Sequence, residues 1–420
     1  MNFPFTERLS RSVTSVTADI CCLTDFTPVR MAEPTPQGLT LEISAYAFAR
    51  AWCKRNGVSD NAIFAAKHRE VCNKFANYGL SPTTIKARQL TFFPRLQDIV
   101  SVDGEFTISE PEHAYMQLFD NYQNFNPKDI KARHEAYARV ADDSLEKMFV
   151  GVEDAPDDLI HVTCSGYLAP SPVERMAARK GWLSTTVTHS YHMGCYGAFP
   201  AIRMAHGFLA SAQLGVTPPK ERVDIVHSEI LSVHSDAHDL TAQNIITMTL
   251  FADGFIKYSA VTENYLKSQG LNGLKLLAYA EHLLADSADD MTWTPGSTRF
   301  HMTLSIMVPV LIKAAVKDFV IELLARAGLD LAQESDRLVF AIHPGGPKIV
   351  EHIQSELGLR DDQVALSKAV LFENGNMSSA TVPHILKSIV EEREIPLGVF
   401  VVALGFGPGL TATGLVLQKI

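Results

Sequence analysis

Apolar positions along this chain follow two periods. Leu41, Ala45, Phe48 and Trp52 recur at helical spacing, which predicts a helix over 41–55 capped by Thr40 and stopped by Asn56-Gly57. The same spacing predicts helices over 62–75, across 110–150 with an interruption at Pro127, over 171–180 with Pro172 in the first turn, and from Phe199 to Phe208. Three more are predicted over 310–327 with Gly328 as the cap, over 346–357 and over 377–392. Short apolar or β-branched runs predict strands at 158–163, 182–189, 223–233, 337–342, 399–404 and 414–418. Two further strands, 245–251 and 255–261, are predicted as a hairpin around Ala252-Asp253-Gly254. Residues 1–39, with Pro28, Pro34 and Pro36, read as irregular. Strands alternating with helices argue for an α/β architecture with helix-covered sheets.

Composition narrows the class. The 420 residues are 46% hydrophobic and 20% charged, enough to bury a sizeable core. The net charge of −10 and the lack of Lys/Arg runs exclude nucleic acid and anionic membrane as expected partners. The apolar stretches are too short to span a bilayer, and the first 16 residues carry Glu7, Arg8 and Arg11 in place of an apolar signal core. The cysteines Cys21, Cys22, Cys53, Cys72, Cys164 and Cys195 fit neither a zinc site nor a disulfide framework, so no metal is expected and a reduced, cytoplasmic setting is.

Three segments carry candidate chemistry. Cys195 stands between a predicted strand and a predicted helix, flanked by Gly194 and Gly197. A thiol at a helix N-terminus is expected to have its pKa lowered. His343 ends a predicted strand and is followed by Pro344-Gly345-Gly346-Pro347; Asn376 lies 33 residues further on, in Gly375-Asn376-Met377-Ser378-Ser379-Ala380. Gly405-Phe406-Gly407-Pro408-Gly409-Leu410-Thr411 reads as a loop after a buried strand. Each has a plainer alternative: a buried structural thiol, a satisfied core histidine, a turn asparagine, a glycine-rich loop. Together, a nucleophile, a cationic donor and a neutral donor are the parts needed to hold a thioester and stabilise an enolate.

These motifs resemble the chalcone synthase-like, type III polyketide synthases, with a bacterial flavour. The resemblance runs from about residue 158 to the C-terminus. It implies a thiolase-like fold with a duplicated five-layered α-β-α-β-α core, divided near residue 265 into an N-terminal half (1–265) with the nucleophile and a C-terminal half (266–420) with the other two groups. It implies Cys195, His343 and Asn376 as catalytic residues, with a His343 imidazolium keeping the Cys195 thiol ionised. It implies Phe251 and Phe300 as gatekeepers, Phe406 in a cavity-scaffolding loop, and Cys164, His234 and Ser378 along the cavity. Lys67, Lys74 and Lys348 map to a basic mouth for CoA, where Glu70 replaces an expected arginine. The expected reaction is iterative decarboxylative condensation of malonyl-CoA onto an acyl-CoA, fatty acyl as first choice, and closure to a pyrone or resorcinol-type phenol. CoA thioesters are substrates, no cofactor is implied, and a homodimer is expected. Two alternatives stand beside it: a ketoacyl synthase III-like enzyme using acyl carrier protein, and a non-catalytic acyl-binding subunit.

Overall fold

A computed structural model describes residues 21–94, 99–102, 105–108, 118–119 and 127–420. The predicted irregular stretch over 1–20 and the predicted helical stretch over 110–117 and 120–126 lie outside the described residues.

Among the described residues, nine strands form one mixed sheet: β1 (Cys21–Pro28), β2 (Asp158–Thr163), β3 (Thr186–Tyr191), β4 (Arg222–Glu229), β5 (Gly254–Thr262), β6 (Leu274–Leu283), β7 (Leu338–Ile342), β8 (Phe400–Gly407) and β9 (Thr411–Lys419). The order is β7-β8-β9-β6-β1-β5-β4-β2-β3. In the first half, β2 runs parallel to β4, which pairs antiparallel with β5, which pairs antiparallel with β1. In the second, β7 runs parallel to β8, and β8, β9 and β6 follow antiparallel.

Helices Ala198–Gln213 and Thr381–Glu391 are buried between the two halves. Phe199, Ile202, Ile385 and Leu386 share one core with Ile160 and Ile225 of the first half and Val401 and Leu415 of the second. Helices Gln37–Arg55, Ile130–Met148 and Pro172–Arg179 cover the outer face of the first half, and Val308–Arg326 and Pro347–Leu357 that of the second. This is the five-layered, thiolase-like α/β arrangement. Burying apolar surface on both faces of each half explains why its strands read as continuous apolar runs.

Several local expectations change. Residues 21–28 form a strand, although Pro28 and its neighbours read as irregular; Leu23 is buried where β1 joins the two halves. The predicted hairpin over 245–261 is half wrong. Ala242–Leu250 is a helix, capped by the Thr241 hydroxyl accepting from Asn244 N–H, and Gly254–Thr262 alone is a strand. Asp253 is no turn residue: its carboxylate accepts from Thr91 N–H, Ser232 N–H and the Ser232 hydroxyl. Thr40 lies inside its helix, which begins at Gln37. Strand β6, the hairpin Met291–Pro295 with Phe300–Leu304, and helix Asp361–Asn374 have no predicted counterpart.

Candidate active site

The Gly194–Tyr196 turn sits between β3 and the buried helix Ala198–Gln213, and presents Cys195 at the helix start. Gly194 takes φ +71°, which favours glycine, and a Cβ there would lie 2.8 Å from Pro408. Gly405-Phe406-Gly407 continues β8 to its end rather than forming a loop. A Cβ on Gly405 would meet the Phe199 ring at 2.3 Å, and one on Gly407 would meet Tyr196 at 2.1 Å. The motif's glycines therefore let β8 pack directly on the segment that carries Cys195.

His343 lies just past the end of β7, where its backbone N–H donates to Leu404 at 2.8 Å. Its side chain is buried, and neither ring nitrogen has a hydrogen-bond partner among the described residues. Asn376 follows Gly375, whose φ of +74° breaks the helix Asp361–Asn374. The Asn376 N–H donates to Leu250 at 3.0 Å, and its carbonyl accepts from Ala252 N–H at 2.8 Å. Ser378 N–H donates to Asn376 Oδ1 at 2.8 Å, which fixes the amide orientation and leaves Nδ2 4.0 Å from Cys195 Sγ. Arg88 holds this frame from below. Its guanidinium donates to Gln37 Oε1 and to the carbonyls of Met248 and Phe251, at the end of the preceding helix.

Cys195, His343 and Asn376 line one cavity of about 410 Å³. Its walls are apolar: Leu80, Ile246, Leu250, Phe251, Met291, Met302, Leu304, Ile312 and Phe406 contribute, with Ile306 and Lys348 toward solvent. Behind Cys195 is a second compartment of about 20 Å³, bounded by Cys164, Ser378, Phe251, Met302 and Trp293. Cys164 Sγ lies 3.0 Å from Ser378 Oγ and 3.4 Å from Glu229 Oε2. Glu229 is fully buried, and it accepts from the N–H of Cys164 and the hydroxyls of Ser165 and Ser379.

Electrostatics correct one expectation. Burial pushes the Cys195 thiol up to about 12, and the Glu229 carboxylate adds to the rise. Hydrogen bonds from Ser378 and Asn376 only partly offset it. Burial pushes the His343 imidazole down to about 3. The expected lowered thiol is therefore absent, because desolvation of a buried thiolate outweighs the local dipoles. Each group is driven neutral, and charge separation between them has to accompany the chemistry.

Other candidate residues divide by place. Phe251 and Phe406 line the main cavity, and Lys348 stands exposed at its mouth. Phe300 and His234 do not line it. They stack at 4.5 Å between ring centroids and pack edge-on to Trp293, around a separate small pocket. His234 Nε2 bonds to the Ser165 carbonyl, and Nδ1 accepts from Phe300 N–H; burial, with Arg133 nearby, holds the ring neutral. Lys67 and Lys74 stay outside the cavity lining. Both lie beside Glu70, at 2.9 and 3.9 Å, and Lys67 also sits over the Trp52 ring. Glu70, the residue that replaces the expected arginine, thus pairs with the charges assigned to the mouth. Glu229, Met291, Met302 and Arg88 were not among the sequence candidates. Phe300, Met302 and Leu304 alternate as a strand would, which was the available signal for Met302.

Residues 281–420 match the family described as "Chalcone and stilbene synthases, C-terminal domain". The chain is 27% identical over 300 residues to 1,3,6,8-tetrahydroxynaphthalene synthase of Streptomyces coelicolor, covering 70% of this chain and 74% of that protein. By these two matches the chain is similar to the type III polyketide synthases. Those homologues are transferases that catalyse decarboxylative condensation. An alpha-pyrone synthesis polyketide synthase-like protein of Mycobacterium tuberculosis is 27% identical over 265 residues, covering 62% of this chain and 65% of that one. The fold of this chain matches the crystal structure of the Streptomyces coelicolor enzyme with a TM-score of 0.70 at 21% identity, over 95% of this chain and 99% of the other. It matches a polyketide synthase of the brown alga Ectocarpus siliculosus with a TM-score of 0.72 at 21% identity, over 96% and 98%. Among the described residues, no helix is long and apolar enough to cross a membrane.

Proposed function

We propose that this synthase loads a fatty acyl starter on Cys195, extends it with malonyl-CoA in repeated decarboxylative Claisen condensations, and closes the poly-β-keto chain to a pyrone or resorcinol-type phenol. The observation that carries the reading is the shared cavity of Cys195, His343 and Asn376, with its nearly all-apolar wall. An aliphatic chain would bury its methylenes there, each contributing about 0.8 kcal/mol.

In this reading the neutral His343 ring accepts the Cys195 proton as sulfur attacks the acyl-CoA carbonyl. The acyl–sulfur bond to CoA breaks, CoA leaves as a thiolate that solvent protonates, and His343 keeps the proton. Malonyl-CoA then loses CO2, and its electron pair moves onto the thioester oxygen. His343 and Asn376 Nδ2–H donate to that oxygen as it becomes an enolate. The enolate carbon attacks the Cys195 thioester, the sulfur is expelled, and it regains its proton from His343. No metal or redox cofactor enters this scheme. We also place the enzyme in the cytoplasm as a homodimer, and divide its duplicated core near residue 265, a division that the repeated strand order supports.

A second reading concerns delivery only. With Lys67 and Lys74 beside Glu70, Lys348 is left, among the described residues, as the cationic residue lining the cavity mouth, which favours a starter handed over by an acyl carrier protein. Incubation with palmitoyl-CoA, then peptide mass spectrometry, tests the loading step. Acylation at Cys195, absent in Cys195→Ala, supports CoA delivery. Acylation only from palmitoyl-carrier protein would replace it with the second reading, and acylation from neither would sink the loading step.

A further inference from the structure

Strand β4 carries a second buried titratable group that the scheme above does not use. His227 and Glu229 are two residues apart, so they point to the same face of the strand, and both are fully buried. The Ser379 hydroxyl donates to Glu229 Oε1. A hydroxyl has one proton, so Ser379 Oγ meets His227 Nδ1, 2.9 Å away, as the acceptor. His227 Nδ1 therefore carries the proton. The ring is neutral, because burial holds it well below its ordinary value and His384 and His161 lie near it. Nε2 is then the acceptor, and it faces the Tyr258 hydroxyl at 3.2 Å. The hydrogen bonds run one way, from Tyr258 through His227 and Ser379 to the Glu229 carboxylate. The carboxylate in turn faces Cys164 and, through space, Cys195.

We infer that His227 is a positioning residue for Glu229, acting through Ser379, and that this one-way chain sets the negative charge facing Cys195. The Nδ1–H group forces the Ser379 proton onto the carboxylate and so holds Glu229 ionised. Without it the Ser379 hydroxyl is free to turn away, and Glu229 binds a proton more readily. The titratable groups around the chain are His161 of β2, Tyr258 of β5, His384 of the helix Thr381–Glu391, Tyr137 of the helix Ile130–Met148, and the two cysteines.

The inference rests on Cys195 as the reactive thiol, and the test reads that thiol without polyketide turnover. The rate of Cys195 alkylation by iodoacetamide is measured against pH, with peptide mass spectrometry separating it from the other thiols. Where Glu229 takes a proton a repulsion is removed from the thiolate, so His227→Leu raises the alkylation rate near neutral pH, below the thiol's own titration, by about tenfold or more. His227→Asn, whose amide N–H can take the place of Nδ1–H, keeps the wild-type rate. Tyr258→Phe removes only the last hydroxyl and raises the rate by less, which keeps the inference testable should His227→Leu fail to fold. Unchanged rates in folded His227→Leu and Tyr258→Phe, or an equal rise in His227→Asn, would overturn it. A rise together with no product from any starter would strike the synthase scheme and leave the inference standing.

Discussion

At the scale of single residues, the site depends on orientation more than on resting charge. Asn376 is held by Ser378 N–H on its oxygen, so its amide nitrogen faces Cys195 and the space in front of it. Assigned chiefly to the enolate, with only a long hydrogen bond to the thiol, Asn376 should matter far less for loading. Asn376→Ala is expected to lose about 10²–10³ in turnover, the usual loss for one oxyanion donor, while Cys195 is still acylated by the starter. Acyl-enzyme mass and malonyl-CoA decarboxylation measured together check this, and loss of acylation would move Asn376 to the loading step. The three chemical residues were legible in the sequence because each sits in a motif of several residues. The thiol's charge state was not, because burial and a carboxylate 34 positions away in the chain set it.

At the scale of elements, the hairpin Met291–Pro295 with Phe300–Leu304 decides what the cavity meets. Met291, Met302 and Leu304 face the cavity, while Phe300 turns to Trp293 and His234. Met302→Trp is therefore expected to cut products from long acyl starters by about tenfold or more relative to short ones, the size of a steric mismatch in an apolar pocket. Phe300→Leu is expected to lower Tm and leave the chain-length preference in place. Competition assays with mixed acyl-CoA starters check both, and a preference that follows Phe300 rather than Met302 would restore Phe300 as the gate. Long helices such as Val308–Arg326 and buried strands such as β2 were readable from apolar runs and cap residues. The helix Ala242–Leu250 read as a strand because Ile245, Ile246, Thr247 and Thr249 are β-branched. Packing against Leu80 and the Arg88 clamp overrides that propensity.

At the scale of the whole molecule, four buried neutral histidines tie stability to pH. His161 and His343 are each pushed by burial to about 3, and His227 and His234 are lowered as well, against about 6.5 in an unfolded chain. Between those values the unfolded chain binds protons that the folded one does not. Their contribution is therefore full above about pH 6.5 and is lost as pH falls toward 3. His161 and His343 each remove about 2 kcal/mol by pH 5. The raised carboxylates of Asp224, Glu229 and Asp253 act in the opposite sense and blunt the fall. Thermal denaturation is expected to show a Tm that drops between pH 7 and pH 5, before ordinary carboxylates titrate. A flat Tm over that range would mean that these rings gain protons without unfolding. The same burial that makes the molecule acid-sensitive keeps the cavity dry, and a dry cavity strengthens every donor aimed at the enolate.

If Cys195 builds a chain from an acyl starter and malonyl units in this apolar cavity, its products carry the malonyl label. Isotope-labelled malonyl-CoA, a panel of acyl-CoA starters from short to long, and mass spectrometry of the products read this out, with Cys195→Ala run alongside. Labelled products are expected whose masses rise by whole condensation units over the starter, strongest with long acyl chains and absent without the thiol. Products that persist in Cys195→Ala, or no labelled product from any starter delivered by CoA or by carrier protein, would contradict it.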